Sequence, residues 1–229
     1  AEIKQKAYIG LAETAMATGD ARAAADAYAR LLREFSSESV EPDTYRLAAA
    51  AARRAGDFAQ AETWLDRLYS DTLIAYDRRV LLVDLAETAM EGRNYTAAVG
   101  RYRQYLQRYP SDPGAPFAQL RIAEIEEEHF RNYAGAIEQY GAVIERYGLT
   151  AASDDAQFGR ARTLEKQEKW SDAAAAYRQV LTQYPASDLR GKAVERMRAL
   201  EQLGGGDADK AVDQLASVIA SMHEQPGSA

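Results

Sequence analysis

The chain has no cysteine and only two histidines in 229 residues. The first absence excludes disulfides and thiolate chemistry. Together the two leave little from which to assemble a nucleophile and its base, so no enzyme is expected. No stretch approaches the roughly 18 to 20 consecutive apolar residues that cross a bilayer. Positive charge is also short: 28 Lys and Arg stand against 35 Asp and Glu, a net charge of -7. A general phosphate-backbone binder needs a basic stripe, so no nucleic-acid partner is expected. The glycine run Gly204-Gly205-Gly206 lacks the Lys-Ser/Thr of a phosphate-binding loop and reads as a loose turn. Glu126-x-x-His129 has the spacing of a di-metal ligand pair. A second copy is missing, because His223 has Ile219 and Ala220 upstream. The segment reads as a solvated acidic helix, and no metal or cofactor is implied. No segment alternates with period two over a useful length, so no strand is expected.

What the chain does have is self-similarity. Six alanines recur at an almost fixed step: Ala24, Ala61, Ala98, Ala136, Ala173 and Ala211, spaced 37, 37, 38, 37 and 38 residues apart. Four residues after each stands a ring or a leucine: Tyr28, Leu65, Tyr102, Tyr140, Tyr177 and Leu215. Seven after each stands Leu31, Leu68, Tyr105, Val143, Val180 or Val218. About twelve before each stands another small residue: Ala12, Ala49, Ala86, Ala123, Ala161 and Ala199, with one extra residue in the fourth unit. A period of 20–50 residues marks a repeat architecture, which offers a long continuous surface in place of a single pocket.

Each unit reads as two helices joined by a tight turn. The turns are Gly19-Asp20, Gly56-Asp57, Gly92-Arg93-Asn94, Arg131-Asn132, Glu168-Lys169 and Gly206-Asp207. Glycine tolerates the left-handed conformation that ends a helix, and the Asp or Asn after it caps the next one. Ser36, Pro110, Gly148 and Pro185 end second helices. The expected helices are 4–18 and 21–35, 42–55 and 58–70, 76–91 and 95–108, 114–129 and 132–146, 152–167 and 170–183, 188–203 and 207–223. Trp64, Trp170 and the tyrosines fall at core spacing and read as packing.

The recurring small-x3-aromatic-x2-apolar pattern, followed by proline, resembles the tetratricopeptide repeat. The third unit carries it in Leu85-Ala86, Asn94-Tyr95, Ala98, Tyr102 and Pro110. The fifth carries it in Ala161, Trp170, Ala173, Tyr177 and Pro185. The resemblance implies an all-α, right-handed α-solenoid of six helical hairpins, with repeats near 5–38, 42–75, 79–112, 116–150, 154–187 and 192–225. Residues 1–225 would form one superhelix and 226–229 a flexible tail. The junction Tyr109-Pro110-Ser111-Asp112-Pro113-Gly114-Ala115-Pro116 resembles those of bacterial envelope members, the outer-membrane barrel-assembly lipoproteins and the Tol-Pal system coordinator. That implies a periplasmic or outer-membrane-associated adaptor; the alternative is a cytoplasmic scaffold module cut from a longer protein. The chain starts at Ala1. Either a leader was removed or the chain is part of something longer, and membrane association is expected only through such a leader, a lipid anchor or a partner.

In this family first helices line a concave groove that holds a segment of another protein. Carried over by register, the groove residues are Arg46, Arg53 and Arg54 in the second repeat, and Val83, Glu87, Met90 and Glu91 in the third. The fourth gives Phe117, Leu120, Glu124, Glu127 and Glu128; the fifth gives Phe158, Arg162, Glu165 and Lys166. Such a groove changes sign along its length, basic and then acidic, and favours a peptide with apolar anchors and a basic segment. The chaperone-type carboxylate clamp needs asparagines where this chain has Gly10, Leu47, Asp84, Arg121 and Gly159, so that activity is not implied. Val212, Leu215, Val218, Ile219 and Met222 stripe the last expected helix; the stripe reads mostly as packing on helix 188–203, and any part left exposed suggests self-association through a terminal repeat or a missing further segment.

Overall fold

The computed structural model describes residues 2–36, 39–71, 76–148 and 150–204, with side chains through Leu200. Among these residues there are eleven helices and no strand. They are α1 (Glu2–Ala17), α2 (Ala21–Glu34), α3 (Pro42–Arg54), α4 (Phe58–Ser70), α5 (Arg78–Glu91) and α6 (Tyr95–Arg108). Then follow α7 (Ala115–Glu128), α8 (Tyr133–Tyr147), α9 (Ser153–Lys166), α10 (Trp170–Gln183) and α11 (Arg190–Gly204). The expected helix 207–223, its preceding turn and the tail lie outside the described residues. Contacts gather the chain into two compact units that divide between Asp112 and Pro113.

The first unit stacks three hairpins: α1 on α2, α3 on α4, α5 on α6, with α2 against α3 and α4 against α5. The second pairs α7 with α8 and α9 with α10, with α8 against α9 and α10 against α11. The periodic alanines Ala24, Ala61, Ala98, Ala136 and Ala173 are all fully buried, so two helix backbones approach closely at each. The rings and leucines four residues on, from Tyr28 through Tyr177, fill the space beside them and are also buried.

Hairpin turns repeat one geometry. Asp20, Asp57, Asn94 and Asn132 each accept a hydrogen bond from a backbone N–H three residues on. This caps an orphan donor of the second helix. Lys169, at the same place in the fifth hairpin, makes no side-chain cap. The residue before each cap is left-handed: Gly19, Gly56, Arg93, Arg131 and Glu168. One expectation changes here. In the third turn Arg93, not Gly92, takes the left-handed position. Gly92 is needed for space, because a Cβ there would sit 3.0 Å from the Phe58 Cβ. The extra residue of the fourth unit lies in its turn. The cap N–H of Asn132 reaches back six residues to the Glu126 carbonyl, where Asp20, Asp57, Asn94 and Lys169 reach back five.

Arg131 holds φ +52° and is exposed. Left-handed backbone costs a non-glycine about 1–2 kcal/mol, and glycine returns part of that as unfolded-chain flexibility. Arg131→Gly is therefore expected to stabilise the protein by about 0.5–1 kcal/mol, read as a higher midpoint of urea unfolding. An unchanged or lower midpoint would count against the turn geometry.

The register of α11 also changes. Ala199 was expected at the close-packing position, by its distance from Ala211; instead Ala193, Met197 and Leu200 are buried and Ala199 is only partly so. Counting back from Ala211 assumed the usual turn length, whereas this joint carries the glycine run Gly204-Gly205-Gly206.

Candidate functional site

The charged residues on the first helices are tied together from one repeat to the next. In the first unit Arg46 Nε lies 2.7 Å from Asp84 Oδ2, and its Nη1 donates to Tyr76 Oη at 2.9 Å. Arg53 binds Glu91 through both Nε and Nη2, which holds the Glu91 carboxyl below its ordinary value. These partners are one repeat apart in sequence. The basic face of the second repeat and the acidic face of the third thus neutralise each other. Glu87 accepts from Tyr102 Oη at 2.9 Å. Val83 and Met90 are half-buried beside these charges, and Arg54 is exposed.

The second unit contains the tightest of these ties. Glu127 is 1% exposed. Its carboxylate accepts from Arg162 Nε at 2.9 Å, Arg162 Nη2 at 2.7 Å and Tyr140 Oη at 2.7 Å. Lys166 Nζ lies 2.9 Å away. Burial by itself would raise this carboxyl, but the donors from Arg162, Lys166 and Tyr140 outweigh it and hold it at about 2. Glu127 was expected to face a partner; it faces its own fold. Leu120, another expected groove residue, is buried with Ala123 and Tyr140. Glu128 stays exposed, 3.6 Å from Arg162. Glu124 pairs with Arg121 at 2.8 Å. Burial raises the Asp155 carboxyl, and the charges of Asp154, Glu124 and Asp188 raise it further. Phe117 is exposed.

One open cleft of about 460 Å³ gathers the remaining functional candidates. Phe158, Arg162, Glu165 and Lys166 come from α9, Trp170 and Tyr177 from α10, and Lys192, Glu195 and Arg196 from α11. Phe158 meets Tyr177 edge to face with centroids 5.2 Å apart. Glu165 accepts from Tyr177 Oη at 2.9 Å and binds Arg196. Burial pushes the Tyr177 hydroxyl up to about 12, so it remains a donor at neutral pH. Tyr177–Glu165–Arg196 therefore repeats the logic of Tyr140–Glu127–Arg162. Trp170 is 37% exposed, which corrects its reading as packing. Trp170 stands at the first position of α10 and lines the cleft. Lys192 and Glu195 make no ion pair with another described residue and are exposed.

Four residues read from the sequence, Phe158, Arg162, Glu165 and Lys166, thus share one cleft. Trp170, Lys192, Glu195 and Arg196 were missed. Arg196 lies 31 residues from Glu165, short of the 37–38 residue repeat, so the period gave no signal for it. Among the described residues no group of three or more His, Cys, Asp or Glu could hold a metal ion. The Glu126 carboxylate accepts from the Asn132 side-chain amide at 2.9 Å. No described helix is long and apolar enough to cross a membrane.

Models of the tetratricopeptide repeat match residues 9–77 and 129–188, and a second such model matches 81–112. The chain belongs to the tetratricopeptide repeat family. Proteins of this family are protein-interaction scaffolds, typically without catalysis, that bind protein or peptide partners. The chain is similar to the apo form of RapI, 14% identical over 96% of this chain and 64% of that one, with a TM-score of 0.63. It is also similar to a tetratricopeptide repeat protein from Parabacteroides merdae, 14% identical over 97% and 81%, TM-score 0.59. A third similar structure is the MamA protein, 13% identical over 84% and 96%, TM-score 0.57. At such identities the likeness is one of fold. No curated protein matches the sequence.

Proposed function

We propose that this tetratricopeptide repeat chain holds a segment of another protein in the α9–α10–α11 cleft, with no chemistry of its own. The observation that carries the reading is the half-open aromatic site of Phe158, Trp170 and Tyr177, rimmed by charges that the fold has mostly paired. Paired charges keep the rim polar without attracting one sign of partner strongly. The aromatic floor supplies the apolar anchor site, and aromatic side chains dominate such interfaces. The preferred ligand is an extended or helical peptide with one large apolar side chain, flanked by groups that meet Lys192 and Glu195. The acidic first-helix residues expected to recruit a basic segment are largely engaged within the fold, so a basic character in the partner is not part of this proposal.

The junction at 109–116 supports an envelope setting, as an assembly adaptor in the periplasm or at the outer membrane. A displayed peptide library selected on the natural chain tests the binding reading. Selected peptides are expected to share an apolar anchor and to lose at least tenfold in affinity, about 1.4 kcal/mol, on Trp170→Ala. Peptides that bind both forms equally would place binding elsewhere. Capture from envelope and cytosolic fractions tests the setting separately: envelope proteins lost on Trp170→Ala support it, and cytosolic proteins with the same dependence overturn it.

A further inference from the structure

The outer face of α1 is built like an interior face. In α3, Thr44, Tyr45, Ala48, Ala51 and Ala52 are all buried. One repeat later in α5, Leu81, Leu82, Leu85, Thr88 and Ala89 are buried as well. In both cases the preceding second helix, α2 or α4, packs against the first helix. The corresponding residues of α1 are Ala7, Tyr8, Leu11, Thr14 and Ala15, equally small or apolar. Here Leu11 is 62% exposed, where Ala48 is 0% and Leu85 1% exposed. Ala7 and Thr14 are exposed too. With part of α2 they border an open groove of about 800 Å³.

The groove's edge repeats the pattern. On α4, Arg67 reaches back to the Leu32 carbonyl near the end of α2, at 3.5 Å. Arg30 stands one repeat earlier on α2, lines the groove, and makes no hydrogen bond or ion pair with another described residue. A second helix laid on α1 would bring such carbonyls to it. A face left to solvent in a repeat array is ordinarily polar, and this one is not.

We propose that this face takes the segment 207–223 of a second copy of the chain, so that copies associate head to tail. That segment carries the second-helix pattern, with Ala211, Leu215 and Val218 spaced as Ala24, Tyr28 and Leu31 are. The contact continues the interface already present between α2 and α3 and between α4 and α5. It joins two different surfaces, so it does not close after two copies.

Sedimentation velocity and light scattering on the full chain, from micromolar to several hundred micromolar, test this. The mass is expected to rise with concentration beyond two copies. Leu11→Glu is expected to raise the dissociation constant at least tenfold while leaving the circular dichroism melt unchanged, since Leu11 is exposed. A synthetic peptide of residues 207–223 in excess is expected to return the natural chain to single copies, and a scrambled peptide is not. A single-copy mass at every concentration overturns the proposal. So does a mass that stops at two copies, which indicates a symmetric face-to-face contact. Association of Leu11→Glu equal to that of the natural chain, or indifference to the 207–223 peptide, overturns it too.

Discussion

Replacing Glu127 by alanine is expected to destabilise the protein by about 3 kcal/mol, because it leaves Arg162, Lys166 and Tyr140 facing a pocket without an acceptor. Arg162 and Lys166 are partly open to solvent, so water recovers some of the loss and the cost falls at the lower end for a broken buried pair. The same carboxylate makes stability depend on pH. Its folded value of about 2 lies below the ordinary 4.5. Its contribution is therefore fully present above about pH 4.5 and is lost as pH falls from there through about 2. Equilibrium urea unfolding at pH 7, 4 and 3 checks both statements. Glu127→Gln is expected to flatten the acid limb of the stability curve relative to the natural chain. An acid limb that is unchanged by Glu127→Gln would show that other carboxylates carry the dependence.

Gly159→Ala is the second change with a large expected effect. A Cβ at that position would lie 2.5 Å from Tyr140 Cζ and 2.9 Å from its hydroxyl oxygen. Backbone of α9 and ring of α8 touch there, and the ring cannot retreat without withdrawing its hydroxyl from Glu127. Overpacking of this kind costs about 1–3 kcal/mol. The distinguishing measurement is a double-mutant cycle with Tyr140→Phe, which removes the hydroxyl but keeps the ring. If the clash acts by displacing the hydroxyl, part of the Gly159→Ala cost is already spent in the Tyr140→Phe background. The two changes are then non-additive by more than about 0.5 kcal/mol. Strict additivity would mean that the ring moves without disturbing the Glu127 site. Glycine at this place was noted in the sequence only as a departure from a clamp motif; its role is to let a tyrosine lie across a helix backbone.

The hairpins were legible because their determinants are local. α4 at 58–70, α6 at 95–108 and α10 at 170–183 fall where the apolar period places them. The Asp or Asn caps mark four second-helix starts directly. The α11 register was misread because the only anchor was Ala211, across a joint of unusual composition. The site was legible by position and not by environment. The family register put Phe158, Arg162 and Lys166 on one face, and they do share a cleft. It could not tell that Glu127, one turn from the equally acidic Glu124, faces inward. That depends on Arg162 arriving from 35 residues away and on Gly159 admitting the Tyr140 ring. Trp170 read as packing because its spacing fits the core, whereas the side chain lines an open cleft and stays partly exposed.

The ion pairs that span one repeat also fix the order of the hairpins. Arg53 needs Glu91, and Arg162 needs Glu127; the acid precedes the base in one case and follows it in the other. The modules of this array are therefore not interchangeable bricks. Exchanging the second hairpin with the fifth would keep every alanine in phase, yet it would set Arg46 and Arg53 beside Glu127, which is placed for Arg162, and would take Glu165 away from Arg196. The backbone repeats, while the charges write an address on each copy.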